Sequence, residues 1–340
     1  MKLVTFAAIQ MDAAPQPTEA RLARAEALVS QAAKSMAQVV VLPEVFNTGY
    51  AYTDENFRRA EPPDGLTARW MKSLSARLGV YLAGTLLLRD ADGEIYNTML
   101  LTAPDGQTWR YDKSYPWYWE RAYFRPGRGP FVAETPLGRF GMLICWDMAH
   151  TDLWAAYAGK VQAVLSSSCP PLVPEMQLAF PDGRTLAGSQ VSETFQWANR
   201  NVNDTFGRLA QRQAAWLGVP LVNTTGTGIF DTLAPRPGLT LSMFLLMAPR
   251  YWRSLAQLKQ ARMQARYFQE TYVCSAAGQV LERVAAEQEG VAVGTVELAD
   301  HPPQPKGDQP AFGLERMAYD MDRMLNWAMK PVYEKGKDVP

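Results

Sequence analysis

VTFAAIQ (residues 4–10) and VVVLPE (residues 39–44) are apolar runs flanking one amphipathic stretch, and their order decides the fold class. Between them Leu22, Ala25, Leu28, Val29, Ala32 and Met36 recur at helical spacing, which predicts a strand, a helix and a second strand. The alternation continues outward. A helix over Leu66 to Leu78 leads into VYLAGTLLLR (80–89), and YNTMLLTAPDGQTWRYDK (96–113) reads as two strands joined by an Asp-Gly turn. GRFGMLIC (138–145) is a further buried strand, followed by a helical segment to Tyr157, the strand AVLSSS (163–168), a helical stretch from Ser192 to Leu217 and the strand PLVNTT (220–225). TYVCSA, VLERV and GVAVGTVEL supply late strands. The expectation is an α/β fold with a late antiparallel portion, without a repeat of fixed period.

With 340 residues, 47% hydrophobic and 20% charged, the chain can bury a sizeable core as one large unit plus a tail. Its formal net charge of zero gives no global attraction to nucleic acid. Cys145, Cys169 and Cys274 form no CxxC pair, which argues against a zinc site or a disulfide framework and for reduced thiols. The opening MKLVTFAAIQMD reads as a strand rather than a signal peptide, and no apolar run reaches the roughly 20 residues that span a bilayer. A cytoplasmic protein is expected. Residues 1–300 read as the main unit, with an insertion at about 229–270. Residues 301–340 read as a proline-rich connector, HPPQPKGDQP, and a helix whose stripe is Leu314, Met317, Ala318, Met321, Met324, Leu325 and Ala328.

Three residues at strand ends carry chemistry. Cys145 closes GMLIC, where a buried strand meets a turn, a place suited to a nucleophile. Glu44 closes VVVLPE, where a carboxylate is costly unless paired. Lys113 closes another strand amid Tyr115, Trp117, Tyr118 and Trp119, whose rings could wall in an ammonium. Taken singly, each has a plainer reading: an inert buried thiol, a structural ion pair, a surface lysine. A Cys-His hydrolase of the papain type needs an imidazole within reach of the thiol, and the chain offers only His150 and His301.

Together LPEVFNTGY, DKSYPWYWERAYFRPG and GRFGMLICWD resemble the glutamate, lysine and cysteine motifs of the nitrilase superfamily, the carbon-nitrogen hydrolases. The order matches. Lys113 follows Glu44 by 69 residues, Cys145 follows Lys113 by 32, and the resemblance covers about residues 3–226 and 271–300. It implies an α-β-β-α sandwich that pairs through its outer helices as a homodimer. It also implies a thiol hydrolase acting through a thioester, with Cys145 as nucleophile, Glu44 as general base and Lys113 stabilising developing charge. Glu120 matches a second glutamate that orients the lysine. The Trp146 N–H is an oxyanion donor in this scheme, and Tyr50, Trp119, Tyr123 and Trp146 are candidate pocket walls. No metal or organic cofactor is required. The pattern CWD, where true nitrilases carry CWE, places amide and carbamoyl substrates ahead of nitriles. A catalytically silent scaffold or a membrane-surface binding protein is the rival from another class.

Residues 232–269 exceed the family's usual connection. They contain no acidic residue and carry Arg236, Arg250, Arg253, Lys259, Arg262 and Arg266. With LTLSMFLLMA and a stripe of Leu255, Leu258, Ala261, Ala265 and Phe268, the segment reads as an interfacial element on an anionic membrane surface. The alternative is an active-site entrance or an oligomer interface.

Overall fold

The computed structural model describes residues 2–187, 190, 203–241, 249–313 and 315–338. Strand β1 (Lys2–Asp12) is the hub. It pairs in parallel with β2 (Val39–Val41), antiparallel along nearly its whole length with a late strand, Gly290–Leu298, and at Met11 and Asp12 in parallel with another, Leu221–Thr227. On one side of β1 lie β2, β3 (Tyr81–Arg89), β4 (Ile95–Thr102) and β5 (Thr108–Asp112), with β3 parallel to β2 and the last three forming a meander. On the other side, beyond Leu221–Thr227, come β8 (Ala163–Ser168), β7 (Gly138–Ile144) and β6 (Val132–Thr135). The result is the α-β-β-α sandwich of the nitrilase type.

Alternation along the strands explains why they are apolar without a break. Phe6, Ala8, Val39 and Val41 face one core, shared with Phe140, Met142 and Val164. Ala7, Ile9, Met11, Val40 and Leu42 face a second core, closed by helices α1 (Thr18–Lys34) and α2 (Leu66–Leu78). Both faces of the strand are buried, so each residue, whichever way its Cβ points, must be apolar.

The expected elements recur with local departures. Met36 is not on the buried helix face: α1 ends at Lys34, and Met36 has positive φ and is exposed. Residues 192–202 of the expected helical stretch lie outside the described residues, and the stretch resumes as a π-turn at Thr205–Leu209 followed by α3 (Ala210–Leu217). Five short strands went unread, β6 among them. β9 (Gln177–Ala179), β10 (Thr185–Ala187), β12 (Ile229–Leu233) and β13 (Arg262–Arg266) form a second sheet in the order β10-β9-β13-β12. Leu221–Thr227 is therefore β11, and β14 (Tyr272–Cys274), β15 (Val280–Arg283) and β16 (Gly290–Leu298) follow.

This corrects the helical reading of 232–269. Pro249–Gln260 is a 3-10 turn, and Arg262–Arg266 alternates as a strand, with Met263 and Ala265 inward and Arg262 and Arg266 outward. The stripe members Leu258, Ala261 and Ala265 are buried in the protein. Arg262 pairs with Asp231, Arg266 with Glu175 and Glu287, and Arg236 donates to the Ala328 carbonyl. Residues 242–248 of LTLSMFLLMA lie outside the described residues. The tail helix α4 (Glu315–Gly336) docks on the body through Asp322, Leu325, Ala328, Met329 and Tyr333, while Met324 of the expected stripe is exposed. Leu314 lies outside the described residues. Among the described residues no helix is long and apolar enough to cross a membrane.

Candidate active site

Four strand ends converge. β2, β5, β7 and β8 run in the same direction, so the residues following them, Glu44, Lys113, Cys145 and Cys169, gather at one edge of the sheets. Carboxyl ends of strands are where open α/β sheets place their binding crevices. The turns there are strained. Val45, Tyr118 and Cys145 all have positive φ, a conformation that costs a non-glycine residue about 1 kcal/mol or more and that packing must hold in place. At Cys145 that turn closes β7 abruptly and starts a 3-10 helix, Cys145–Ala149.

Lys113 is fully buried between two carboxylates. Its Nζ donates to Glu44 Oε1 at 2.8 Å and to Glu120 Oε1 and Oε2 at 2.9 and 2.7 Å, so all three ammonium protons have acceptors. Glu44 Oε1 also accepts from Asn97 Nδ2 at 2.8 Å, and Oε2 accepts from the Cys169 N–H at 2.9 Å. The thiol of Cys145 and the same carboxyl group each influence the other's protonation. Glu120 is held in turn by the Tyr50 hydroxyl and the Trp117 N–H, both at 2.5 Å.

Burial and charge act against each other here. Burial pushes Glu44 up, Lys113 pulls it back and the negative charge of Glu120 raises it again, leaving its carboxyl at about 6. Burial favours a neutral Lys113, but Glu120 and Glu44 outweigh it and hold the ammonium well above its ordinary range. The Cys145 thiol is raised by burial and then by the Glu44 charge, with Lys113 opposing. At rest the group is therefore a protonated thiol near a carboxyl group that titrates at about 6.

Asp147 explains the cysteine motif's third residue. Its Oδ2 accepts from the Tyr111 hydroxyl at 2.7 Å and the Ile144 N–H at 3.0 Å, and Oδ1 accepts from the Tyr115 N–H at 2.8 Å. It fastens the cysteine turn to the segment after Lys113. Asp147 is not among the residues that line the cleft at Cys145, and these bonds anchor the loop.

The cleft at Cys145 is small and lined by Trp117, Trp146, Pro170, Pro171, Val173 and Phe206 with the cysteine itself. Of the four wall candidates Trp146 is in that lining. Tyr50 instead hydrogen-bonds Glu120, and Trp119 and Tyr123 pack around Tyr52 behind it, Tyr123 stacked on Tyr52 with centroids 6.2 Å apart. His150 is committed elsewhere, to the Trp146 carbonyl and Asp322. Among the described residues no cluster of His, Cys, Asp or Glu could hold a metal. Sequence reasoning passed over Asn97, a buried amide in an otherwise apolar strand whose cost signals a partner, and the Cys169 N–H, which no side chain betrays.

The family model for carbon-nitrogen hydrolases matches residues 5–303. The chain belongs to the carbon-nitrogen hydrolase family. Its relatives by sequence include a nitrilase of Pyrococcus abyssi, 30% identical over 183 residues, 53% of this chain and 70% of the relative. An N-carbamoylputrescine amidase of Solanum lycopersicum is 30% identical over 68% of this chain and 74% of its own. An ω-amidase of Danio rerio is 34% identical, over 41% of this chain and 53% of the relative. In fold, this carbon-nitrogen hydrolase superposes on the amidase from Nesterenkonia sp. AN1, solved with acrylamide, with a TM-score of 0.61 at 16% identity, covering 86% of this chain and 90% of that one. A CN-hydrolase superfamily protein of Xanthomonas campestris gives 0.61 at 17% identity, over 87% and 91%. The chain is thus a nitrilase-superfamily hydrolase with amidase-type relatives, and Cys145 stands in the position expected of it.

Proposed function

We propose that this enzyme hydrolyses the carbon–nitrogen bond of a small, uncharged amide or carbamoyl compound, with Cys145, Glu44 and Lys113 as its catalytic residues and Glu120 positioning Lys113. The observation that carries this reading is the buried ammonium of Lys113 held between Glu44 and Glu120 beside the Cys145 thiol. Glu44 takes the thiol proton as sulfur attacks the carbonyl carbon. The oxyanion is stabilised by the positive charge of Lys113 and the Trp146 N–H. Glu44 returns the proton to the departing nitrogen, the C–N bond breaks, and ammonia or an amine leaves a thioester on Cys145. Water, deprotonated by Glu44, then attacks the thioester carbon, releasing the acid and restoring the thiol.

Substrate class follows from the cleft. Among the described residues its wall presents aromatic rings, prolines and Val173 and no charged side chain, so a charged acyl group would lack a partner there. Among the described residues no acceptor meets the indole N–H of Trp117 or Trp146, so a hydrogen-bond acceptor on the acyl group would satisfy a donor there. Ammonia release measured over aliphatic, aryl and carbamoyl amides and nitriles, each in neutral and charged versions, tests the reading. Activity confined to charged acyl groups, or undiminished in Cys145→Ala, would refute it.

The wider arrangement is part of the same proposal: residues 1–300 as the hydrolase unit with the insertion at 229–270, residues 301–340 appended to it, and a cytoplasmic homodimer. For the insertion, the ion pairs of Arg262 and Arg266 and the buried stripe favour a protein-facing role over an anionic membrane. Exposed Leu239 and Trp252 on the insertion and Trp327 on α4 supply apolar surface for a second copy. Flotation with anionic liposomes checks the membrane alternative, which salt-sensitive binding would revive.

A further inference from the structure

The tail helix reaches the catalytic loops through one carboxylate. Asp322, nearly buried on α4, accepts from Arg121 Nη2 on Oδ1 at 3.0 Å and meets His150 Nε2 on Oδ2 at 2.8 Å. Arg121 is the neighbour of Glu120. On the other side His150 Nδ1 lies 3.0 Å from the carbonyl oxygen of Trp146, the neighbour of Cys145. One side chain thereby joins the loop that holds Lys113 in place to the turn that presents the nucleophile.

The surroundings restrict what these groups can do instead. His150 is fully buried, stacked face to face on Tyr115 at 3.6 Å and met edge-on by Tyr319 of α4 at 4.9 Å. Tyr115 and Tyr319 both donate to Asp152, at 2.7 and 2.5 Å. Both ring nitrogens of His150 face acceptors, so the doubly protonated ring makes both hydrogen bonds, and a neutral ring needs a donor at one of them. Asp322 is one of several anchors of the helix. At its far end the Tyr333 hydroxyl donates to Glu94 at 2.6 Å and accepts from the Ile95 N–H at 2.9 Å, Lys337 pairs with Glu94, and Arg89 donates to the Lys337 carbonyl.

We propose that Asp322 is a positioning residue for hydrolysis, keeping the Glu120 loop and the Cys145 turn in register through Arg121 and His150, so that α4 completes the active site. The proposal rests on the reading of Cys145, Lys113 and Glu120 given above. Loss of register by a fraction of an ångström between nucleophile and ammonium lowers the rate of attack more than it weakens substrate binding.

The test compares kcat, KM and melting temperature in the full chain for Asp322→Ala, Asp322→Asn, Tyr333→Phe and Cys145→Ala. Asp322→Ala is expected to lower kcat by about 10- to 100-fold with KM changed less than about threefold. Asp322→Asn keeps an oxygen for Arg121 and gives a neutral His150 the donor it needs at Nε2, so it should recover most of that loss. Tyr333→Phe should lower the melting temperature and leave kcat unchanged. Wild-type kcat in Asp322→Ala, an equal fall in Tyr333→Phe, or a fall in Asp322→Asn as large as in Asp322→Ala would overturn the proposal. Should Asp322→Ala not fold, Arg121→Gln cuts the same link from its other end, and full kcat there would overturn it as well. Full activity in Cys145→Ala would instead remove the catalytic reading beneath it and the proposal together.

Discussion

The strand ends around Cys145 and the segment 229–270 are both rich in residues that invite a functional reading, yet they differ in how those residues are used. At the strand ends a cation and two carboxylates are buried together, where each is stable only because of the others. In the insertion the cations sit on the solvent face of a strand, and each described pair is half exposed and of ordinary kind, such as Arg262 with Asp231. The difference teaches that charge carries functional information in proportion to the cost of keeping it. Buried charge needs a reason; a surface arginine does not.

The sharpest way to break that contrast is to remove one member of each set. Cys145→Ala should lower kcat by more than about 10⁴-fold while melting near wild type, since it removes the nucleophile and little volume. Steady-state ammonia release and a thermal melt check both halves. Lys113→Met comes next. The sequence suggests a change felt in rate and hardly in stability, because the aliphatic stem is kept. The structure changes that expectation: without the ammonium, Glu44 and Glu120 face each other buried and unpaired. A fall in acylation of about 10²- to 10³-fold should accompany a stability loss of about 3–5 kcal/mol at neutral pH. Protonating a carboxylate relieves the repulsion, so this variant should regain stability as pH falls, which denaturant melts at two pH values would detect.

A third effect concerns Glu44 itself. A general base must be ionised, so kcat/KM should drop about tenfold per unit as pH falls below about 6 and level off above it. An acid limb near the ordinary glutamate value would mean that Lys113 and the bonds to Asn97 and Cys169 outweigh burial. The smallest effect belongs to the insertion. Arg262→Ala should cost less than about 1 kcal/mol and leave kcat within about twofold. A large loss would show that this strand's outer face is engaged by a partner.

The same contrast explains what could be read from sequence. The grouping of Glu44, Lys113 and Cys145 was legible because each is a polar or reactive group just after a strand, and strand direction brings such ends together. Glu120 was legible only through family resemblance, since nothing in WYWERAYF tells a buried carboxylate from one paired with Arg121. Arg121 does form an ion pair, but with Asp322 from the far end of the chain. The reading of one stripe running on through 262–266 failed for a physical reason. Leu258, Ala261 and Ala265 fit a helical stripe, while the alternation in RMQAR fits a strand, and over five residues the two periods are barely distinguishable. Pairing with β9 and β12 decides between them, and that is information from distant parts of the chain.

The central claim is covalent catalysis by Cys145, and intact-mass measurement during turnover of a short neutral amide addresses it directly. Rapid acid quenching should trap a species heavier by the acyl group, mapped to the peptide containing Cys145, released as the acid on further incubation and absent in Cys145→Ala. Steady turnover without that adduct under conditions where hydrolysis of the thioester limits the rate, or an adduct on another residue, would contradict the account.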